Sequence, residues 1–443
     1  MAATSILASY SHAWRALRHR NFKLFFFGQS ISVIGTWMTR LATSWLVYRL
    51  THSALLLGVV SFAGQFLAFL LGPIAGVWVE RLPRRKLLVW TQMAGAVQSL
   101  ALAVLTLAHV ITLWEIIALA AFQGLINAFD MPGRQSFLIQ MVEDRNDLSN
   151  AIAINSSMAN SGRLIGPAIA GLLIAAVGEG WCFFIDGLSY FAVVASLLMM
   201  RVGNDAPPRK TASTWEQMRE GWDYVRNFMP VRTILSVFAL MSLMGYSYSV
   251  LLPIFATQVL HGGAHTLGWL SAASGIGALA SGVSLAMRKS VRGLTRMLQI
   301  ASMMLGVGLI LFGFSKVLWL SIVLMVFVGF GLMQSAAVTN TIVQSLVSED
   351  KRARVMSYYT MAFMGAAPFG SLIAGAVAHR IGAPHTTLLT GTCCILGSIW
   401  FTVRLPQVKA AMRPIYREKG LIPPPKSELA REEMALAEEG VRS

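Results

Sequence analysis

The stretch Gly72-Pro73-Ile74-Ala75-Gly76-Val77-Trp78-Val79-Glu80-Arg81-Leu82-Pro83-Arg84-Arg85-Lys86 decides the fold of this chain. A long apolar run ends within it, one carboxylate and four cations follow, and a second apolar run begins at once. Water-soluble cores do not show this pattern, so it predicts two membrane helices joined by a basic loop. Basic clusters at such turns mark the cytoplasmic side of a membrane protein. Gly72 and Gly76 lie one helical turn apart, which would let another backbone approach closely.

The composition of the whole chain agrees with a polytopic membrane protein. Of its 443 residues, 55% are hydrophobic and 13% are charged, whereas soluble domains carry about 25% charged residues. The three cysteines, Cys182, Cys393 and Cys394, lie in apolar runs and show neither metal-ligand spacing nor a disulfide framework. The first apolar run is too long for the core of a cleavable signal, so we expect it to remain as a spanning helix.

The hydropathy pattern predicts twelve membrane-spanning helices. A span needs about 20 mostly apolar residues, and several candidates are longer, which is typical of tilted or protruding helices. The predicted spans cover residues 22–50, 54–79, 85–108, 112–140, 149–177, 181–201, 232–260, 266–288, 294–314, 317–347, 354–379 and 384–404. The expected fold class is therefore all-α, with twelve transmembrane helices.

The positions of the basic residues predict the orientation of these helices. With the N-terminus inside, the cytoplasmic tails and loops hold 30 of the 36 Lys and Arg residues, and the external edges hold three. An excess of this size predicts that both termini are cytoplasmic. It also accounts for the net charge of +16 without a nucleic-acid partner, and the basic loops could attract anionic lipid headgroups.

The longest internal loop divides the chain into two halves of six helices. It begins with the linker-like Asn204-Asp205-Ala206-Pro207-Pro208 and continues into a segment whose Trp215, Met218, Trp222 and Val225 share one helical face. We expect that segment to form an amphipathic helix on the inner membrane surface. The predicted units are an N-terminal half, a linker, a C-terminal half and a tail, at residues 1–202, 203–231, 232–404 and 405–443.

Glycines repeat between the two halves at constant offsets. A shift of 210 residues aligns three glycines of the first half with three of the second, and a shift of 204 aligns three more. The first set pairs Gly35, Gly58 and Gly72 with Gly245, Gly268 and Gly282; the second pairs Gly166, Gly171 and Gly178 with Gly370, Gly375 and Gly382. Two parallel six-helix repeats predict a transporter whose site lies between the halves.

Five charged residues fall at membrane depth, where each costs about 2.5–3.5 kcal/mol on insertion scales and is a functional candidate by default. They are Arg40, Asp130, Arg134, Arg163 and Asp186. Asp130 and Arg134 have the spacing of an intrahelical pair, and Pro132 between them should kink or break the helix. Asp130 is the candidate proton carrier, with Arg134 setting its pKa; the alternative is a structural pair near the inner mouth.

The other three charges have less defined surroundings. Arg163 lies deep in the fifth predicted helix and needs a partner, for which Asp130 or Asp186 on neighbouring helices are the candidates. Arg40 lies in the middle of the first helix. Asp186 follows Trp181-Cys182-Phe183-Phe184-Ile185 near the outer end of the sixth, where a solvated carboxylate is slightly favoured.

Polar residues inside the apolar spans are candidates to line a cavity, although helix–helix hydrogen bonds would explain any one of them equally well. They are Gln29, Asn127, Asn155, Asn160, Tyr246, Gln334, Asn340, Gln344 and Tyr359. No catalytic constellation, cofactor motif or metal-ligand pair is visible, and the chain lacks the Gly-rich phosphate-binding loop of an ATP-driven pump. The sequence therefore predicts neither an enzyme nor a cofactor.

The opening stretch resembles the loop between helices 2 and 3 of the major facilitator superfamily, G-x-x-x-D-R-x-G-R-R. Gly76, Glu80, Arg81, Arg84 and Arg85 match in place, Glu80 replaces the usual Asp, and Pro83 replaces the second Gly. The resemblance implies two six-helix bundles and a cytoplasmic gate. In that gate Glu80 would face the positive N-terminal end of the eleventh span, near residues 354–357; the alternative is a loop that only sets topology.

The fifth span resembles the G-x-x-x-G-P-x-x-G-G pattern of drug:proton antiporters in the same superfamily. Gly162, Gly166, Pro167 and Gly171 match, and Ala170 departs; plain helix packing is the alternative role of these glycines. Four further stretches are similar to the macrolide-efflux and enterobactin-exporter branch. These stretches are Asn21-Phe22, Gly28-Gln29-Ser30-Ile31-Ser32, Gly35-Thr36-Trp37-Met38 and Asp130-Met131-Pro132-Gly133-Arg134-Gln135.

These resemblances imply a monomeric exporter of the bacterial inner membrane that exchanges protons for bulky, partly apolar molecules such as drugs, macrolides or siderophores. In this hypothesis Asp130 takes the proton and Arg163 tunes the pocket. One alternative is a lysophospholipid translocator or an uptake permease without proton antiport. The other is a membrane scaffold or sensor that moves no solute, although the charges at membrane depth argue against it.

Overall fold

A computed structural model of the chain describes residues 14–79, 82–201, 214–288 and 290–421, and these residues form an all-α protein. After a short 3-10 turn at Arg15–Arg18, the first half contains α1 (Arg20–Thr51), α2 (Ala54–Val79), α3 (Arg84–Leu107), α4 (Leu113–Met141), α5 (Leu148–Val177) and α6 (Glu179–Met199). A separate helix, α7 (Thr214–Asn227), precedes the second half. That half contains α8 (Met229–Val259), α9 (Ala264–Ala286), α10 (Leu294–Phe314), α11 (Leu318–Leu346), α12 (Glu349–Ile381) and α13 (Ala383–Glu418).

Apart from α7, every one of these helices corresponds to a predicted span. Eleven are long and apolar enough to cross a membrane. The remaining one, α1, is 32 residues long and less apolar, because it carries Arg40 and several hydroxyl side chains in its middle. Those side chains face a cavity rather than lipid, which allows a polar helix at this depth.

Local distortions occur within two of the helices. Turns of π-helix at Met241–Gly245 and Phe255–Val259 interrupt α8, and another at Met361–Gly365 interrupts α12. Turns of this kind are frequent at functional sites. By contrast, α4 is one continuous helix with Pro132 inside it. Of the two expected effects of this proline, a break in the helix is wrong, and a kink stays a prediction.

The last helix extends beyond the predicted boundary of the second half. It continues past residue 404 to Glu418 because Leu405, Val408, Met412 and Tyr416 recur at helical spacing and are buried against that half. Just after it, the Lys419 ammonium donates to the carbonyls of residues 345–347 at 3.0–3.3 Å. A cation there stabilises the negative end of α11.

The helix α7 packs on the start of α12, which belongs to the second half. Glu220 forms an ion pair with Arg354, and Trp222 packs on Tyr358 with ring centroids 5.9 Å apart. Val225 is buried in the core of the same half. The amphipathic helix of the linker is therefore present, and part of its apolar face is covered by protein rather than by lipid headgroups.

The two halves meet along two pairs of antiparallel helices, α2 with α12 and α5 with α9. At each contact two glycine backbones approach closely: Gly58 with Gly375, and Gly171 with Gly268. A Cβ added at Gly58 would lie 3.3 Å from the Cα of Gly375, and one at Gly171 would lie 2.9 Å from the Cα of Gly268. Glycine is required at these positions because any side chain would separate the halves.

The same helix pairs separate at the opposite end of the molecule, the basic face, which carries Arg84, Arg85, Arg288 and Arg354. Among the residues that the structure describes, a Cβ added at Gly72, Gly76 or Gly282 would meet nothing within 4 Å. The last close contacts before that gap involve Gly365 with Phe69, and Gly275 with Leu164. The halves are therefore closed together at one end and apart at the basic face.

Candidate functional site

A cavity lies between the two halves near the middle of the membrane-spanning helices. Helices of both halves line it: α1 to α6 on one side, and α8, α9 and α11 on the other. Its wall combines apolar, hydroxyl, amide and aromatic side chains with three charged groups. The polar and charged members are Thr36, Thr39, Arg40, Thr43, Ser44, Ser61, Gln65, Gln98, Gln123, Asn127, Arg163, Asp186, Tyr190, Tyr246, Tyr248, Ser249, Ser271 and Ser274.

Two of the charged groups, Arg40 and Arg163, lie beside the ring of Trp37. Their guanidinium carbons are 4.7 Å and 4.9 Å from its centroid, respectively, which is the geometry of a cation–π interaction. The Gly166 backbone of α5 packs against Trp37 and fixes the ring between the two helices. Arg40 also donates to the Tyr246 hydroxyl at 3.4 Å.

The expectation that Asp130 or Asp186 pairs with Arg163 is wrong. Arg163 donates instead to the sulfur of Met333. Within the described part of the chain, no carboxylate lies within ion-pair distance of Arg163 or Arg40. Two cations in the cavity wall therefore lack an anionic partner.

Asp186 is buried in the wall, contrary to the expectation of a solvated carboxylate near the helix end. Only 1% of its surface is exposed, and Ser99 donates to its Oδ2 at 2.8 Å. The other oxygen, Oδ1, is buried without a hydrogen-bond partner among the described residues. A Cβ at Gly35 would lie 2.6 Å from that oxygen, so the glycine in α1 makes room for the carboxyl group.

Asp130 differs from Asp186 because both of its carboxylate oxygens have partners within the protein. Thr91 and Gln92 of α3 donate to its Oδ1 at 3.0 Å and 2.7 Å, and Arg134 pairs with its Oδ2 one turn away on α4. Asp130 is 2% exposed and does not line the cavity. The intrahelical pair expected from the sequence is present, and it also joins α3 to α4.

The amide and tyrosine candidates divide between the cavity and helix contacts. Asn127 and Tyr246 line the cavity. The others do not: Asn160 donates to the Ser156 carbonyl, Gln334 to the Met297 sulfur, Gln344 to Asn340 and Tyr359 to the Ala336 carbonyl. Gln29 is buried, and Asn155 is half-buried outside the lining.

Several lining residues were not among the sequence candidates, chiefly Gln65, Gln98, Gln123 and Tyr248. In α1, residues 36, 39 and 43 are hydroxyl residues that recur at helical spacing. This polar stripe is the signal that would have located the cavity. For the single glutamines of α2 to α4, sequence offers no comparable signal, because a lone amide fits a helix contact equally well.

The glycine pattern of α5 forms close helix contacts. Gly162 and Gly166 pack against Val33 and Trp37 of α1, whereas Gly171 packs against α9. Pro167 lines the cavity. These contacts are those of the packing alternative, and they also position the Trp37 ring.

The basic loop is described only in part. Glu80 and Arg81 lie outside the described residues, and so does any contact between Glu80 and α12. Beyond them, Arg84 donates to the Ser136 carbonyl at 3.3 Å, and Arg85 donates to the Leu198 carbonyl at 2.6 Å. The two arginines therefore bind carbonyl groups near the ends of α4 and α6, where a cation is favoured.

Comparison with known proteins gives one family. The model of a family described as transmembrane secretion effector matches residues 11–432. A staphyloferrin A transporter of Staphylococcus aureus is 27% identical over 391 residues, which are 87% of this chain and 97% of that protein. The multidrug efflux pump Tap of Mycolicibacterium fortuitum is also 27% identical, over 86% and 95% of the two chains. Macrolide efflux protein A of Streptococcus pyogenes is 22% identical, over 85% and 95%.

Solved structures show the same fold at low sequence identity. A POT family transporter in complex with 5-aminolevulinic acid has a TM-score of 0.71 at 13% identity, and 88% of this chain and 96% of that one are covered. The nucleoside transporter NupG has a TM-score of 0.68 at 12% identity, with 86% and 98% covered. This likeness concerns the fold alone.

Proposed function

This chain belongs to the transmembrane secretion effector family of the major facilitator superfamily, and we propose that it exports bulky amphipathic small molecules in exchange for protons. The observation that carries the proposal is the central cavity, which both halves line with a mixture of apolar surface and three charged groups. Transporters built from two such repeats bind substrate between them and alternate access by rocking one half against the other. The relatives include proteins named as siderophore, multidrug and macrolide transporters, and these names support a bulky small-molecule substrate.

The basic face supports our placement of the open side of the cavity. Because Lys and Arg concentrate in cytoplasmic loops, we place the basic face and both termini in the cytoplasm of a bacterial cell, with the chain in its inner membrane. The halves separate at that face and are joined by glycine contacts at the other. A cavity that opens to the cytoplasm is a state that importers and exporters share. The proposed direction, export, therefore rests on the efflux proteins among the relatives.

Asp186 is the better proton carrier of the two buried aspartates. It lines the cavity, whereas Asp130 does not. Its Oδ1 has no hydrogen-bond partner among the described residues, so a proton can be added there without breaking a contact. Three donors surround Asp130, and protonation would break its pair with Arg134. This assignment replaces Asp130 with Asp186 in the hypothesis drawn from the sequence.

The test is substrate-dependent proton release from inverted vesicles that hold an internal acid load. A panel of macrolides, cationic dyes and catecholate siderophores is added outside, and internal pH is followed with a fluorescent indicator. We expect at least one class to release protons from vesicles with the native chain, and Asp186→Asn to abolish that release at equal protein level. Glu143→Gln, which changes an exposed carboxylate, is the matched control and should behave as the native chain.

Two outcomes would contradict the proposal. Substrate movement without any proton release would favour the lysophospholipid translocator or uptake permease, and counterflow without a pH gradient would then detect it. Full proton release by Asp186→Asn would leave antiport intact but remove the role given to Asp186.

A further inference from the structure

The cavity contains a cationic and aromatic cleft, which we define as Arg40, Arg163 and Trp37. Both guanidinium groups lie within cation–π distance of the same indole ring, at 4.7 Å and 4.9 Å from its centroid. The arginines come from α1 and α5, two helices that pack on each other through Gly162 and Gly166. Both cations and the ring therefore lie in the wall of one cavity.

The protein itself does not neutralise this cleft. Arg40 donates to the Tyr246 hydroxyl and Arg163 donates to the Met333 sulfur, and both acceptors are uncharged. In the described part of the chain, neither arginine has a carboxylate within ion-pair distance. Asp186 also lines the cavity, yet even a charged Asp186 leaves one positive charge uncompensated. Unpaired cations at membrane depth are costly and mark sites that bind a ligand.

We propose that the transported compounds are organic acids, and that a carboxylate or similar oxyanion of the substrate binds between Arg40 and Arg163. Guanidinium groups bind such oxyanions with two parallel hydrogen bonds, which are stronger than neutral ones. The apolar body of the substrate packs against Trp37, Met333 and the neighbouring tyrosines. This inference names the substrate class of the transporter proposed above, and its biological relevance rests on that proposed function.

The cleft also predicts which compounds are rejected. A cationic amphiphile would bring a third positive charge next to two uncompensated ones, and like charges in a site of low dielectric repel strongly. The surrounding apolar surface would still accept a neutral compound. The expected order of affinity is therefore acid, then neutral amide, then amine, for ligands that share one aromatic body.

The experiment measures equilibrium binding and needs no transport. The purified full chain in detergent is titrated by calorimetry with 1-naphthaleneacetate, 1-naphthaleneacetamide and 1-naphthylmethylamine, which share one ring system, and with 1-naphthyl phosphate. We expect the carboxylate to bind about tenfold more tightly than the amide, the effect of one charge-assisted contact, and the amine to bind most weakly. A preference for the phosphate over the carboxylate would assign the site to phosphorylated compounds within the same oxyanion class.

Variants separate the cleft from general effects of charge. Arg40→Gln and Arg163→Gln should each weaken acid binding about tenfold and leave amide binding unchanged. The control Arg380→Gln removes a cation from the end of α12 opposite the basic face, outside the cavity, and should change neither. Arg163→Lys, which keeps the charge but not the planar fork, should retain part of the preference.

Three results would overturn the inference. They are an acid that binds no more tightly than its amide, an absence of binding by every acid tested, and an equal loss of acid and amide binding in the arginine variants. The outcome is independent of the proton assay. Efflux of cationic dyes with proton release would support the proposed function and contradict the organic-acid substrate class. Selective acid binding without proton release would support the substrate class and contradict proton exchange.

Discussion

At the scale of single residues, Asp130 and Arg134 form the pair whose loss we expect to cost most. Asp130→Asn removes the charge that compensates Arg134 inside the membrane-spanning bundle, where both groups are largely shielded from water. Breaking one side of a buried pair leaves an uncompensated charge and costs about 3–5 kcal/mol. We expect Asp130→Asn to lower the free energy of unfolding by about that amount, measured by thermal and denaturant unfolding in detergent.

The partner variants make this prediction specific. Arg134→Gln alone should cost less, since Thr91 and Gln92 still donate to Asp130. The double variant Asp130→Asn/Arg134→Gln should recover part of the loss, because no bare charge remains. If Asp130→Asn instead retains native stability and abolishes proton release, then Asp130 carries the proton and the assignment to Asp186 is wrong.

At this scale the sequence identified the charged residues at membrane depth but not most of the residues that they contact. All five charges at membrane depth could be recognised from their surroundings, since a charge in an apolar run is conspicuous. Apart from the Asp130–Arg134 pair, their partners could not be recognised: Asp130 also bonds to Thr91 and Gln92 across the α3–α4 contact, and Arg163 bonds to Met333 in the other half. Such contacts depend on helix rotation, which hydropathy does not specify.

At the scale of elements, the contacts of α7 show how this helix is held against α12. Gly221 packs directly on α12, where an added Cβ would lie 2.9 Å from the Tyr358 ring and 3.1 Å from the Arg354 carbonyl. We expect Gly221→Leu to lift α7 from α12 and to break the Glu220–Arg354 pair. Hydrogen exchange should show this as at least about tenfold faster exchange for amides of α7, since exchange follows local opening.

The control for this prediction is Arg219→Leu, which places the same side chain at an exposed position of the same helix. It should leave the exchange rates unchanged. Equal acceleration by both variants would mean that α7 is destabilised by any apolar substitution and that the packing of Gly221 is not what holds it.

The length of the apolar runs predicted the membrane-spanning helices closely, but it did not predict where each helix ends. A run of about 20 apolar residues is a strong signal because the bilayer fixes its length. Past residue 404 that constraint ends, and α13 continues to Glu418 through ordinary amphipathic packing on the second half. Amphipathic packing also explains why the apolar face of α7 is covered by protein. An apolar helix face can pack on lipid or on protein, and periodicity does not distinguish the two.

At the scale of the whole molecule, four of the glycines that recur at fixed offsets form contacts between the halves. The offset that aligns Gly58 with Gly268 and the one that aligns Gly171 with Gly375 were visible in the sequence. In the structure Gly58 contacts Gly375, and Gly171 contacts Gly268. The two interfaces are thus copies of each other, related by the pseudo-symmetry of the repeats.

The third aligned pair, Gly72 and Gly282, indicates where the halves meet when access reverses. Along α5 and α9, Gly171 lies opposite Gly268 and Leu164 lies opposite Gly275, so continuing this antiparallel register places Ser157 opposite Gly282. In this structure no described residue of another helix lies within 4 Å of a Cβ at Gly282. Rocking of the halves would bring these backbones together at the basic face, as Gly171 and Gly268 are together at the other.

This register predicts a crosslink that depends on conformation. Ser157→Cys/Gly282→Cys should form a disulfide with oxidant only when the basic face closes, and the bond should stop transport until it is reduced. Disulfide formation requires Cα atoms within about 7 Å, so Ile152→Cys/Gly282→Cys, displaced by more than a turn along α5, is the matched control and should react much more slowly. Equal rates for the two pairs, or rapid crosslinking of both in every condition, would show that α5 and α9 do not close in this register.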